Sequence, residues 1–143
     1  MRKSGSETLK HELAHDGIRF AAGSKLRWSE GRPVRGVLAA RVTLAEVTLE
    51  PGTSVELSEP EHGVRQKICV ARISSDQTIA GYVIPAETEL ELDDGGHLTG
   101  AVLGAAMPNA PGPIEGGSLT YDRGAYLVFA RGRWAFSIDD AMG

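Results

Sequence analysis

Hydrophobic and polar residues alternate with a period of two in several short stretches of the chain. Apolar residues occupy every second position in KLRW (25–28), SVEL (54–57) and ELEL (89–92). Successive side chains of a β-strand point to opposite faces of a sheet, so this alternation predicts strands with one buried face. No window of a dozen residues shows the i, i+3, i+4, i+7 apolar spacing of an amphipathic helix. The pattern therefore predicts an all-β protein with little helix.

These stretches belong to longer segments that resemble one another. Each begins with an apolar residue, passes through a turn-prone triplet and a Ser or Thr, and ends in the alternation; the segments are FAAGSKLRW (20–28), LEPGTSVEL (49–57), IPAETELEL (84–92) and IEGGSLTY (114–121). The turns that follow them are SEGR (29–32), SEPEHG (58–63), DDGG (93–96) and DRG (122–124). A second apolar stretch then aligns in three copies, GVLAARV (36–42), KICVARI (67–73) and AVLGAAM (101–107). Tandem similarity of this kind predicts repeated units of strand, hairpin turn and strand, joined by a short return strand such as VTLAEVTL (42–49).

Two segments depart from this pattern. GAAMPNAPGP (104–113) is expected to be a loop, because its three prolines cannot donate backbone hydrogen bonds to a sheet. The segment AYLVFARGRWAFSI (125–138) changes after Phe129 and alternates at Trp134, Phe136 and Ile138. It is expected to be a capping strand over the last unit.

The length and the strand pattern together predict one domain. A chain of 143 residues can bury a core of its own without disulfides or metals. We predict tandem β-hairpin repeats over residues 9–138 that form a meander, a barrel or a solenoid. Residues 1–8 are expected to be a flexible amino terminus, and residues 139–143 a carboxy-terminal tail.

Charge and cysteine content restrict the function classes. A net charge of −4 argues against a nucleic-acid partner, whose phosphates require clustered Lys and Arg. The single cysteine, Cys69, excludes an intramolecular disulfide, and its alignment with Leu38 and Leu103 predicts a buried hydrophobe. No apolar run approaches the length of a membrane-spanning helix. The compartment is not determined by the sequence: without a signal peptide it is cytoplasmic by default, and a chain trimmed of its export signal would look the same.

The segment HELAH (11–15) matches the H-E-x-x-H pattern of zinc peptidases. That chemistry requires a helix on which His11 and His15 reach one zinc ion while Glu12 activates a water molecule. An offset of 29 residues, which maps Gly52 onto Gly23, instead places LKHELAH (9–15) on LAARVTL (38–44), which is predicted to be a strand. A strand would separate the two histidines by roughly 13 Å. The predicted protein therefore has no cofactor, and a zinc hydrolase is kept as an alternative.

Aromatic and arginine residues supply the other candidate binding positions. Trp28, Tyr82, Tyr121 and Trp134 could surround a small ligand if the strands close into a barrel. Arg131 and Arg133, close to Trp134, could bind an anion or stack on bases.

The repeat units resemble the β-hairpin repeats of bacterial MORN-like proteins over residues 9–130. The resemblance lies in the apolar start, the turn with Gly and Ser or Thr, the alternating strand and the Gly-containing hairpin turn. It implies an elongated or closed β scaffold used for binding or assembly. GYVIPAETEL (81–90) is also similar to the V-I-P-x-G-T strand and turn of secretion-channel β-domains, with Glu87 in place of the usual Gly.

The leading functional hypothesis is a non-catalytic binding or assembly module. Unpaired N–H and C=O groups at the edge of a sheet favour addition of another strand, so the expected partner is a protein or a second copy of the chain. The alternatives are the zinc hydrolase that uses His11, Glu12 and His15, and a β-barrel that binds a small ligand.

Overall fold

Short strands joined by tight turns make up the described part of the chain. The computed structural model describes residues 3–111 and 118–135, and these form no helix. The strands are β1 (Gly5–Thr8), β2 (Leu13–His15), β3 (Ile18–Phe20), β4 (Lys25–Ser29), β5 (Arg32–Val37), β6 (Val42–Thr43), β7 (Thr48–Leu49), β8 (Ser54–Leu57), β9 (Ile68–Arg72), β10 (Gln77–Ile79), β11 (Tyr82–Ile84), β12 (Glu89–Leu92), β13 (Leu98–Val102), β14 (Met107–Pro111), β15 (Ser118–Tyr121), β16 (Tyr126–Ala130) and β17 (Arg133–Ala135). The prediction of an all-β protein is confirmed.

Nine of the strands form one large sheet. Their order is β1-β4-β5-β8-β9-β12-β13-β16-β17, and every neighbouring pair is antiparallel. Within the described residues, β1 and β17 each have a single neighbour, so the sheet stays open and does not close into a barrel. Of the three predicted arrangements, the open meander is the one that forms.

Four two-stranded hairpins connect successive strand pairs of this sheet and cover one of its faces. The hairpins are β2–β3, β6–β7, β10–β11 and β14–β15. Phe20 and Ile84 from the hairpins and Leu26 and Leu90 from the sheet are fully buried in one core. The opposite face of the sheet, which we call the open face, carries exposed side chains such as Lys25. The predicted return strand 42–49 is therefore a hairpin, whose turn is closed by the hydrogen bond from Leu44 N to Val47 O.

An equivalent backbone hydrogen bond closes the tight turn before each of β4, β8, β12 and β16, and we call these four turns the corners. The donors are the backbone N–H groups of Gly23, Gly52, Glu87 and Gly124, and the acceptors are the carbonyl groups of Leu9, Leu38, Ile73 and Leu103. All four donor residues have positive φ, between 70° and 96°. The fourth corner corrects the sequence alignment, because it belongs to residues 121–129. Residues 118–121 lie in β15 of a covering hairpin, and the rest of IEGGSLTY lies outside the described residues.

A β-bulge interrupts three strand pairs of the large sheet, β4–β5, β8–β9 and β12–β13. The register shifts leave Val34, Cys69 and Thr99 as the extra residues, since Arg27 pairs with Arg35, Glu56 with Val70 and Glu91 with Gly100. Each extra residue lies four positions before the residue whose carbonyl group accepts the next corner hydrogen bond, which is Leu38, Ile73 or Leu103. The true counterpart of Leu38 is therefore Ile73. The prediction that Cys69 is a core residue is wrong: its side chain is only partly buried, and its thiol donates to Glu56 O at 3.4 Å.

Three boundary predictions also change. Residues 5–8 of the expected flexible amino terminus form β1 at the edge of the sheet. Within the expected loop 104–113, residues 107–111 form β14, which pairs with β15; the shift in register between Met107 and Ala110 accommodates Pro108, which has no N–H. The expected capping strand is a hairpin of β16 and β17, and residues 136–143 lie outside the described residues.

Each of the first three covering hairpins contacts a later part of the sheet. Asp16 at the tip of β2–β3 contacts the loop between β8 and β9. Glu46 at the tip of β6–β7 accepts hydrogen bonds from His97, in the turn between β12 and β13, and from the backbone N–H of Leu98, the first residue of β13. Ile79 in β10 accepts a hydrogen bond from Trp134 in β17. The covering hairpins therefore lie obliquely across the sheet. A cleft forms where the first of them, β2–β3, meets the loop between β8 and β9.

Candidate functional site

The HELAH segment does not form a helix. His11 lies in a bend, Glu12 follows it outside any strand or helix, and Leu13 to His15 form β2. Glu12 forms an ion pair with Arg19, and His15 Nε2 lies 2.7 Å from Gln66 Oε1. No group of three or more His, Cys, Asp or Glu side chains suited to a metal ion occurs in residues 3–111 and 118–135. The zinc-hydrolase alternative thus lacks the helix on which its chemistry depends.

The four aromatic residues do not surround one cavity. Trp28 lies in β4 and Trp134 in β17, seven strand spacings apart in the sheet, which corresponds to roughly 34 Å. Tyr82 lies in β11 and Tyr121 in β15, and both pack against the core from the covering hairpins. A single ligand therefore cannot contact all four side chains in the open sheet.

Hydrogen bonds and ring contacts hold the two tryptophans in structural positions. Trp28 donates its indole N–H to Glu7 Oε1 at 2.8 Å, and Lys3 Nζ lies 4.8 Å from the centre of its ring. Trp134 is 4% exposed, its indole N–H donates to Ile79 O at 3.0 Å, and its ring meets Phe129 edge-on with centroids 5.0 Å apart. Because the Trp134 ring is buried, it presents no free face on which a base could stack.

The two arginines beside Trp134 lie at the turn between β16 and β17. Arg131 occupies the turn itself with a φ of 55°, and Arg133 begins β17; both are exposed. With the neighbouring ring buried, they do not form the combined arginine and aromatic surface that the sequence suggested.

Ion pairs cover much of the open face of the sheet. Arg35 pairs with Glu56 in the neighbouring strand, and Arg72 pairs with Glu89 at 2.6 Å. Cross-strand pairs of opposite charge stabilise a sheet modestly when they are exposed. The open face therefore satisfies most of its own charges, which makes it a poor candidate for a strongly charged ligand.

The free edge of β1 carries unpaired backbone groups. Leu9 N donates to Ser24 O, and Glu7 and Gly5 lie opposite Leu26 and Trp28 in the register that follows from it. In an antiparallel pair the N–H and C=O groups of alternate residues point to the same side. The backbone groups of Ser6 and Thr8 therefore point away from β4, and no strand of the described residues pairs with them.

The free edge of β17 is shorter. Ala130 and Arg133 flank a two-residue turn and pair with each other, and Val128 pairs with Ala135. Of the three residues in β17, only Trp134 therefore directs its backbone groups outward. Arg131 and Arg133 lie at this end of the sheet, and charged residues at an edge disfavour strand addition.

A cleft of about 420 Å³ lies where the tip of β2–β3 meets the loop between β8 and β9. Its lining residues are His15, Asp16, Arg32, Gly63, Val64 and Arg65. Arg65 donates two hydrogen bonds to Asp16 O, and Arg32 Nη1 donates to Glu61 O and Val64 O. We call this feature the hairpin cleft. Sequence reasoning identified only His15 in it.

Gln66 joins the three segments around the hairpin cleft. Its side chain is 2% exposed, and its amide nitrogen donates to Pro33 O at 2.7 Å and to Ser58 O at 3.1 Å. Its amide oxygen therefore faces His15 as an acceptor, which places a proton on His15 Nε2. Nothing in the spacing of HGVRQK (62–67) indicates these contacts, because their partners are 8 to 51 residues away.

Two ionisable side chains of the large sheet have raised pKa values. A hydrogen bond to the Glu46 carboxylate raises the pKa of His97, which links the β6–β7 tip to the turn between β12 and β13. Partial burial raises the pKa of the Cys69 thiol. A raised thiol pKa leaves less thiolate, so Cys69 is a poor nucleophile.

Comparison with protein-family models, curated proteins and solved structures found no match to the chain. The resemblance to MORN-like repeats remains a prediction. The part of the chain that the structure describes also contains no helix long and apolar enough to cross a membrane. Function must therefore be inferred from the geometry of the two sheet edges and the hairpin cleft.

Proposed function

We propose that the protein is a non-catalytic assembly module that associates with a second copy of itself through β1. The supporting observation is the edge formed by Ser6 and Thr8, whose backbone groups face away from β4 on an exposed strand and pair with no strand of residues 3–111 and 118–135. β1 contains no proline, and its charged residue, Glu7, is already hydrogen-bonded to Lys3 and Trp28. An unprotected edge of this kind favours strand addition.

Strand direction favours a pair of β1 strands over a β1–β17 contact. Eight antiparallel steps separate β1 from β17 in the sheet, so the two edge strands run in the same direction. If copies stacked head to tail, β17 of one copy would lie parallel to β1 of the next copy. A two-fold axis beside β1 instead joins the β1 strands of two copies as an antiparallel pair. Antiparallel pairing is the slightly more stable arrangement, and a two-fold contact closes after two copies. The expected product is a dimer.

The charge of Glu7 selects the register of this pair. A two-fold axis at Glu7 would place two carboxylates directly opposite each other, which is destabilising. An axis at Ser6 places Ser6 opposite Ser6 of the second copy and Glu7 opposite Gly5 of the second copy. The outward backbone groups of the two Ser6 residues then exchange two hydrogen bonds. The contact is only one strand wide, so we expect a reversible, concentration-dependent dimer.

Sedimentation equilibrium at several protein concentrations tests this proposal. The wild-type chain should show a monomer–dimer equilibrium. Ser6→Pro removes an outward N–H that β4 does not use, and two lost hydrogen bonds should weaken the dimer by roughly 10- to 100-fold. A monomer at every concentration, or a dimer that Ser6→Pro does not weaken, would contradict the proposal.

Two glutamate variants test the register. Within one copy, Ser6→Glu places a carboxylate opposite Arg27, which is a favourable contact. Across the two-fold axis, the same carboxylate lies opposite the introduced carboxylate of the second copy, which is an unfavourable contact. Thr8→Glu is the matched control, because it faces Lys25 within one copy and Ser4 of the second copy in the dimer. We expect Ser6→Glu to weaken association more than Thr8→Glu. The reverse order would place the axis elsewhere on β1.

A further inference from the structure

The hairpin cleft contains two guanidinium groups that are fixed without a carboxylate. Among the described residues, Arg32 and Arg65 form no ion pair, and both donate to backbone carbonyl groups instead. Nη2 of Arg32 and Nη1 of Arg65 make no hydrogen bond to the described part of the chain. Arginine side chains that are already positioned lose little conformational freedom when they bind an anion.

The carboxylate in the hairpin cleft is engaged elsewhere. Asp16 Oδ2 accepts the backbone N–H of Gln66 at 3.0 Å and lies 3.2 Å from His15 Nε2. The two guanidinium groups therefore face one carboxylate that is already hydrogen-bonded, and the hairpin cleft keeps an excess of positive charge in a protein whose net charge is −4. Local positive charge of this kind attracts oxyanions.

Gly17 permits the Arg65 side chain to lie over the hairpin tip. A Cβ atom at Gly17 would lie 2.6 Å from Arg65 Nη2, and Gly17 also has a φ of 81°. The absence of a side chain therefore lets the guanidinium group reach Asp16 O. The position of Arg65 depends on the packing of the tip against the loop, which distinguishes it from a freely moving surface arginine.

We propose that the hairpin cleft binds a phosphoryl group. Planar guanidinium groups donate paired hydrogen bonds to phosphate oxygens, and the His15 ring adds a third polar group to the lining. A phosphoryl group offers three terminal oxygens to donors that approach from different elements, whereas a carboxylate offers two. Val64, which is 48% exposed, provides an apolar rim beside these groups for the body of a phosphorylated ligand.

Titration with inorganic phosphate by isothermal calorimetry tests this site in the full chain. We expect saturable binding with a dissociation constant of roughly 1 mM or tighter. Arg32→Gln and Arg65→Gln should each weaken phosphate binding by roughly tenfold or more, since each removes charged hydrogen bonds. Arg19→Gln is the matched control. Arg19 lies in β3 of the hairpin whose tip forms one side of the hairpin cleft, but it pairs with Glu12 and does not line the cleft.

Three results would overturn the proposal. They are the absence of saturable binding, equal weakening by Arg19→Gln, and acetate binding as tight as phosphate binding. Thermal melts of each variant without phosphate identify any loss of folding, and Arg32→Lys then serves as a second variant that keeps the charge and loses the planar fork. It should weaken phosphate binding as well. The result is independent of the β1 dimer, because the lining residues lie outside β1.

Discussion

Replacing Gln66 with alanine should destabilise the fold more than the same replacement of Gln77, the other glutamine of the chain. The Gln66 side chain makes three hydrogen bonds to Pro33 O, Ser58 O and His15, and it is 2% exposed. Its removal leaves the carbonyl group of Pro33 buried without its donor, which costs about 1–3 kcal/mol. The two half-buried partners can be rehydrated in part and add about 0.5–1 kcal/mol each. The expected loss in free energy of unfolding is about 2–5 kcal/mol.

Gln77→Ala is the matched control for this measurement. Gln77 lies in β10 of a covering hairpin, and within the described part of the chain its side chain donates a single half-buried hydrogen bond, to Thr48 O at 2.7 Å. The expected loss is about 0.5–1.5 kcal/mol. Urea denaturation followed by circular dichroism measures both variants, and their m-values should match that of the wild type if only stability has changed. Equal losses for the two variants would refute the role of Gln66 in joining the hairpin to the sheet.

Three further predictions concern single contacts. Glu87→Gly should raise the free energy of unfolding by about 1 kcal/mol in a urea titration, because Glu87 adopts a φ of 70° where the other three corners have glycine; a loss of stability would contradict this. Gly104→Ala should lower the melting temperature strongly, at a cost of about 3 kcal/mol, since its Cβ would lie 2.3 Å from the backbone carbonyl of Glu87; Gly95→Ala meets side-chain atoms, the His97 ring at 3.1 Å and Asp93 Oδ1 at 3.4 Å, and should cost much less. The raised pKa of His97 predicts that its pairing with Glu46 stabilises the fold fully below the ordinary pKa of 6.5, and that this contribution is lost as the pH rises through the higher folded-state pKa. The difference in urea midpoint between the wild type and His97→Gln should shrink over that range, and a difference that grows with pH would contradict the assignment.

The amino-terminal segment shows how far local pattern can be trusted. The 29-residue offset that places HELAH on a strand-forming segment puts Leu9 on Leu38 and Leu13 on Val42, and the structure gives these pairs the same corner and hairpin positions. The offset holds because this stretch contains no bulge and no change in loop length. Residues 10–11 nevertheless form a bend.

The alignment of the second copy failed because a longer loop intervenes. Cys69 was matched to Leu38, although the counterpart of Leu38 is Ile73, four residues later. Two residues, 30–31, join β4 to β5, whereas residues 58–67 join β8 to β9, so the strands after these connections are offset by different lengths. The bulge lies at the same position in all three units and does not change the alignment between them. The fourth segment failed for a related reason: its turn-prone glycines resemble a corner, while the corner itself is at Gly124.

The sequence by itself determined that the chain is all-β, that its strands bury one face, and that glycine is favoured at the corners. These features depend on neighbouring residues and are visible in their order. Only the tertiary structure decided that the sheet stays open, that hairpins cover one of its faces, and that His15, Arg32 and Arg65 share a cleft. The reason is physical: these features depend on contacts between residues tens of positions apart, and the packing of a hairpin onto a sheet places no periodic signal in the chain.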